Sequence, residues 1–257
     1  MSALQSPVTL PVADCSLCPF RSKTLLTGRC MPGDTCVLAD SGRQIDRFFR
    51  VNPAYADHYL NDRFWERRAI AVRYASPKAL AELAHDEDEV VRRAVAYRLP
   101  VTQLHQLIDD PDREVRMTVA DRIAPEDLEK MANDPDYIVR LTIAKRLPQG
   151  RLFRFIRDED PQVRRIVAER LPEVSLGLMA NDEAPEVRRI VTERMPPADA
   201  VILLDDPDWV VRYTAVQRAP LEALTNLLND PEPDVREAAQ ERFNLSQAMR
   251  GSEKPED

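Results

Sequence analysis

Residues 110–133 read DPDREVRMTVADRIAPEDLEKMAN, and residues 134–157 read DPDYIVRLTIAKRLPQGRLFRFIR. The second stretch repeats the first at a spacing of 24. Working outward in both directions, that spacing carries an arginine through Arg92, Arg116, Arg140, Arg164, Arg188, Arg212 and Arg236. A second arginine runs through Arg98, Arg122, Arg146, Arg170, Arg194, Arg218 and Arg242. Valine precedes every arginine of the first series, from Val91 to Val235, and aspartate keeps the same period at Asp86, Asp110, Asp134, Asp158, Asp182, Asp206 and Asp230. A weaker copy lies upstream, with Asp62, Arg68 and AIAVRYA at 69–75.

Each unit reads as helix, turn and shorter helix. In 110–133 the expected N-cap is Asp110, with Pro111 at the first helical position, where a missing N–H costs nothing. Val115, Thr118, Val119 and Ile123 then share one helical face. Ala120 is small enough to admit a neighbouring helix. Pro100, Pro148, Pro172, Pro196 and Pro220 end the first helix of their units. A second apolar set follows, such as Leu104, Leu107 and Ile108, or Leu224, Leu227 and Leu228. It has room for two turns at most, which suits a 3₁₀ helix. No segment alternates as a strand does. A 24-residue unit cannot bury two apolar faces alone, so the units must stack. The expected fold is an all-α solenoid of about seven to eight repeats over residues 62–244, a curved rod and a monomer.

The repeated charges read first as scaffold. Asp88, Asp112, Asp136, Asp160, Asp208 and Glu232 stand four residues before a first-series arginine, the favourable order for an i,i+4 pair; Ala184 departs from it. The second arginine falls near the helix C-terminus, where it complements the macrodipole and can bond free carbonyls. The alternative is a cationic stripe for an acidic partner, but a net charge of −8 speaks against nucleic acid. The residue after the first arginine varies freely (Arg93, Met117, Leu141, Arg165, Arg189, Tyr213, Glu237), as a surface that selects a protein partner would.

Composition excludes other classes. With 21 prolines and 6 glycines, the chain has no glycine-rich phosphate loop. No run reaches the roughly 18 apolar residues of a membrane span. The first residues, MSALQSPVTLPVADC, lack the basic and apolar regions of a signal peptide, so a cytoplasmic protein is expected. His58, His85 and His105 share no repeat position and read as surface or structural residues. Trp65 and Trp209 read as packing or edge residues. No nucleophile–base set, carboxylate pair or radical-type three-cysteine motif appears, and a non-enzymatic protein is expected.

All four cysteines fall within 22 residues as C-x₂-C-x₁₁-C-x₅-C: Cys15, Cys18, Cys30 and Cys36. In a protein expected to be cytoplasmic, such a cluster points to metal before disulfide. Four thiolates suit either an iron–sulfur cluster or tetrahedral zinc. The single C-x₂-C, the irregular gaps and Cys18-Pro19 favour iron. Arg21, Lys23 and Arg29 against Asp34 leave the loop locally positive, which would offset an anionic cluster.

A leader of the form C-x₂-C-P-x₁₀-C-x₅-C followed by 24-residue V-R units resembles the leucine-rich repeat variant family over nearly all of residues 14–244. The resemblance implies alternating α- and 3₁₀-helices in a right-handed superhelix without sheet. It also implies a 4Fe-4S cluster held by Cys15, Cys18, Cys30 and Cys36, and an association with nitrogen-fixing bacteria. HEAT-like repeats share the D-P-x-x-V-R opening but need longer units.

The organisation expected is a cluster domain with connecting helices (1–61), the repeats (62–244) and a polar, disordered tail (245–257). Within 39–61, Asp40-Ser41-Gly42 reads as a turn, and Ile45, Phe48, Phe49 and Val51 as an apolar patch on short helices that cap the first repeat. The expected function is a 4Fe-4S protein whose repeats form a protein-interaction scaffold, in electron transfer or redox sensing linked to nitrogen fixation. The alternative is a zinc-stabilised adaptor with no redox role.

Overall fold

The computed structural model describes residues 13–252. The fold is an all-helical repeat stack in two compact units, 1–131 and 132–257. No strand element occurs among the described residues; an isolated bridge joins Met31 to Thr35. The first unit holds the cysteine leader, α1 (Gly42–Val51), α2 (Trp65–Val72), α3 (Glu89–Arg98) and α4 (Arg113–Arg122). The second holds α5 (Tyr137–Arg146), α6 (Pro161–Arg170), α7 (Pro185–Arg194), α8 (Trp209–Arg218) and α9 (Pro233–Ser252). In each unit consecutive α-helices pack on one another, and 3₁₀ turns such as Val101–Leu107 and Glu173–Met179 return the chain to the next helix.

The core repeats with the sequence. Val91, Val115, Val163, Val187, Val211 and Val235 are fully buried, as are Leu80, Leu104, Leu128, Leu152, Leu176 and Leu224 on the 3₁₀ segments. Each such side chain contributes roughly 1.5–3 kcal/mol when taken wholly out of water. The short second helix is 3₁₀ because the few residues between the proline and the next aspartate must span the layer, and 3₁₀ rises faster per residue.

The helices begin two residues later than expected. The N-cap of α4 is Asp112, not Asp110, and its carboxylate accepts from the N–H groups of Glu114 and Val115. Asp88, Asp136, Asp160 and Asp208 cap their helices in the same way, while Ala184 gives α7 no side-chain bond. Asp88, Asp112, Asp136, Asp160 and Asp208, four residues before their arginines, therefore act as caps rather than as the expected i,i+4 partners. An acid at that position fits both roles, and the unsatisfied N–H groups at the helix start are the stronger claim on it.

The first-series arginines pair eighteen residues ahead. Arg92 donates from Nε to Asp110 at 2.7 Å and from Nη2 to the same carboxylate at 3.0 Å, while its Nη1 donates to the carbonyl of Asp86 at 2.8 Å. The same set recurs at Arg68–Asp86, Arg140–Asp158, Arg164–Asp182, Arg188–Asp206 and Arg212–Asp230. Each of these aspartates thus joins two successive repeats. Its carboxylate takes the preceding unit's arginine and the N–H two residues on, as in Asp112 N–H to Asp110 at 2.9 Å, and in the inner rungs its carbonyl takes its own unit's arginine. The second-series arginines also act between units. Arg98 donates to the carbonyl of Ala75, Arg122 to Leu99, Arg218 to Met195 and Arg242 to Val216, so each satisfies the preceding helix end and not its own.

Two further expectations change. Ile45, Phe48 and Phe49 are buried, but Val51, at the last turn of α1, is exposed. Residues 245–252, expected as part of a disordered tail, continue α9; residues 253–257 lie outside the described residues, as do residues 1–12, on which the signal-peptide expectation falls. His58, His85 and His105 are exposed, and Trp65 and Trp209 are partly exposed at the first position of their helices.

Candidate metal centre

Asp14 starts the leader by accepting the N–H of Ser16 at 2.8 Å, which caps the 3₁₀ turn Cys15–Leu17. The Ser16 hydroxyl first, and then that N–H bond, hold the Asp14 carboxyl below its ordinary value. The Cys18 N–H closes the turn on the Cys15 carbonyl at 3.3 Å. With three residues per 3₁₀ turn, side chains at i and i+3 eclipse, so the C-x₂-C spacing presents Cys15 and Cys18 on one side.

Phe20 anchors the next segment. Its ring is buried, stacks on Tyr55 at 4.2 Å and approaches Phe48, His58 and Tyr59. A π-helical turn, Arg21–Leu25, follows, with the buried Thr24 hydroxyl donating to the Phe20 carbonyl at 3.0 Å. Gly28 (φ 69°) then reverses the chain in the left-handed region, and the Arg29 N–H closes on Thr24 at 2.8 Å. Asn52, at the end of α1, holds this turn by donating to the Arg29 carbonyl at 2.8 Å. Gly33 (φ 83°) turns the chain again inside the Met31–Thr35 bridge. Cys36 arrives at the start of α1, its N–H donating to the Gln44 carbonyl at 3.2 Å.

These turns carry the four cysteines within one short leader, though among the described residues no three ligand side chains converge closely enough to hold a single metal ion. No cysteine is in a disulfide; Cys30 and Cys36 are buried, and Cys15 and Cys18 half-buried. The Cys30 thiol is pushed up to about 11 by burial first and then by Cys36, Cys18 and Cys15, with the Thr24 hydroxyl acting the other way. Four thiolates in a buried loop repel one another, and a cation among them removes the penalty. Four cysteine thiolates in one segment are the donor chemistry of an iron–sulfur core, whose bulk keeps its ligands farther apart than a single metal ion does. Sequence reasoning missed Tyr59. It is buried, and its phenol is pushed up by burial and by Cys18, offset by Arg67 and raised further by Asp62 and Cys36.

Residues 11–58, which contain all four cysteines, match the family model described as LRV protein FeS4 cluster. Residues 221–244 match a HEAT repeat model. A solved structure described as "a leucine-rich repeat variant with a novel repetitive protein structural motif" is 62% identical to this chain. It covers 90% of this chain and 99% of its own length, with a TM-score of 0.84. The chain belongs to the leucine-rich repeat variant family. A Rhodobacter capsulatus relative of this leucine-rich repeat variant chain, an uncharacterized 27.7 kDa protein in the nifB 3' region, is 38% identical over 87 residues, or 34% of this chain. The match spans 35% of that relative's length. The N-terminal segment of this leucine-rich repeat variant is thus the family's iron–sulfur cluster domain. No helix among its described residues is long and apolar enough to cross a membrane.

Proposed function

We propose that the chain is a non-enzymatic 4Fe-4S protein, with Cys15, Cys18, Cys30 and Cys36 as the iron ligands and the repeats as a scaffold for a protein partner. The observation that carries this reading is four free cysteines in one short leader, two of them buried. The family match over 11–58 supports the iron–sulfur cargo. A bound cluster supplies one-electron transfer. The chain's own residues exclude water from Cys30 and Cys36, fix Cys15 and Cys18 on one turn, and clamp the loop to α1 through Asn52.

The scaffold reading rests on exposed apolar side chains on the 3₁₀ segments of the second unit. Phe153, Val174, Leu178, Val201 and Ile202 are exposed there, and Leu178 and Ile202 occupy the same repeat position. An open groove of about 700 Å³ beside Leu178 is bordered by Arg157, Glu159 and Glu183. Clustered exposed apolar groups with a charged rim mark protein contacts. The nif-region relative supports a setting in nitrogen fixation; in this reading the cluster serves electron transfer or redox sensing.

The test is anaerobic purification followed by metal analysis of the wild type and Cys30→Ser, with partner capture on Leu178→Glu/Ile202→Glu. Iron in the wild type, lost in Cys30→Ser, is expected. A partner captured by the wild type should be lost in the double variant. Stoichiometric zinc would replace this reading with a zinc-stabilised adaptor.

A further inference from the structure

The 24-residue spacing continues into α1. One step before Arg68 lies Gln44, and one step before Val91 lies Arg67. α1 therefore stands in register with the repeats, and the two units nearest the cysteines depart from the others at two positions. Where later units carry the ladder arginine, α1 carries Gln44. Where later units carry a fully buried valine, α2 carries Arg67, only 8% exposed. The Asp62 carboxylate, which would take an arginine from position 44, is served by Arg67 Nη1 at 2.8 Å.

Both departures leave buried donors without a protein partner. Gln44 is 3% exposed, and neither its Nε2 nor its Oε1 is hydrogen-bonded; Arg67 Nε is likewise buried and unbonded. Buried polar atoms are nearly always paired, so an unpaired set needs an occupant. The cysteine leader is the neighbour. The Gln44 carbonyl accepts the Cys36 N–H, and Arg67 Nη2 lies 3.9 Å from Asp40, four residues past Cys36. The Tyr59 phenol feels Arg67 as well as Cys18 and Cys36.

We propose that Gln44 Nε2 and Arg67 Nε are positioning donors toward the sulfur of the cysteine-held cluster, and that they set its reduction potential. The inference rests on the reading that the four cysteines hold an iron–sulfur cluster. Reduction adds one electron, hence one negative charge, to the cluster and breaks no bond. Hydrogen bonds to sulfur and a buried cation stabilise the reduced form more than the oxidised one and raise the potential. A purely structural Arg67 would end the ladder at Asp62 and leave the potential alone.

The experiment is a redox titration of the anaerobically purified full chain, with dithionite as reductant and electron paramagnetic resonance as readout. Iron and sulfide per chain are measured first for every variant. Arg67→Val restores the residue of the other repeats but strips Asp62 of its cation, so its melting temperature should fall, and Arg67→Val/Asp62→Asn is measured beside it to relieve that loss. The potential of Arg67→Val should fall by at least a tenfold change in the redox equilibrium constant, 59 mV for one electron. Gln44→Leu should lower the potential by a smaller step, and Arg67→Lys should retain most of it. Asp62→Asn, which frees the guanidinium of its counter-charge, should raise it. Loaded Arg67→Val and Gln44→Leu with wild-type potentials would overturn the inference. If Arg67→Val loads no cluster, unmoved potentials in Gln44→Leu and Asp62→Asn would overturn it equally. A wild type without iron and sulfide would instead remove the reading beneath it.

Discussion

Arg164 and Asp182 face each other with two parallel hydrogen bonds, Nε to Oδ2 at 2.7 Å and Nη2 to Oδ1 at 3.0 Å, from neighbouring units and largely out of water. The fork of the guanidinium matches the carboxylate and fixes direction as well as distance. The third donor, Nη1, ties the same arginine to the carbonyl of Asp158, so one side chain sets both its own turn and the next unit's.

Arg164→Ala would leave Asp182 buried without its cation, and breaking a buried pair costs roughly 3–5 kcal/mol. Arg165→Ala, one residue on, removes a half-exposed pair with Glu169 and should cost only about 0.3–0.5 kcal/mol. Urea unfolding followed by circular dichroism should separate the two midpoints clearly. Equal, small losses would return the arginines to the status of surface charges.

The ladder also gives a direction with pH. Arg212 beside Asp230 holds that carboxyl below its ordinary value of 3.8, helped by the Glu232 N–H. A depressed carboxylate contributes stability that is present above the unfolded value and lost as pH falls through the folded one. Asp230→Asn should therefore destabilise the chain at pH 7, and the gap from wild type should close as pH drops below 3.8. Melting curves from pH 7 to pH 2 would show it; a constant gap would contradict the pairing.

Ala184 occupies the N-cap of α7 with φ −87° and ψ 119°, close to the −87° and 123° of the capping Asp208 in α8. The backbone is ready for a cap that the side chain does not supply. Ala184→Asp should stabilise by about 1 kcal/mol. Asp208→Ala should lose a similar amount. Thermal melts of the two variants should move in opposite directions.

The repeat, its period and its helical character were legible because buried Val91, Leu104 and their equivalents must recur wherever identical units stack. The partners of the charges were not. An acid four residues before an arginine fits an ion pair and a cap equally, and Asp88 resolves to the cap. The pairing of Arg92 with Asp110 follows from how one unit lies on the next, which spacing along a single helix cannot show. The four cysteines were legible from their clustering. Gln44, Tyr59 and Arg67 were not, although extending the period one step upstream would have exposed Gln44 and Arg67 as the residues that break it.

Gly28 adopts φ 69° between Cys18 and Cys30, a conformation that costs an L-residue roughly 1–2 kcal/mol. Gly28→Ala has open space for its methyl, so its effect should be confined to the turn. Iron retention during dialysis should fall, while the helical signal of the repeats stays unchanged. Loss of helix throughout would mean that the leader nucleates the whole stack.

Acid-labile sulfide tests the central claim most directly, because neither zinc nor a single iron held by four thiolates carries any. Protein purified without oxygen should release about four sulfides per chain alongside about four irons, as four-cysteine ligation of a 4Fe-4S cluster requires. A chain saturated with metal but free of sulfide would contradict the account.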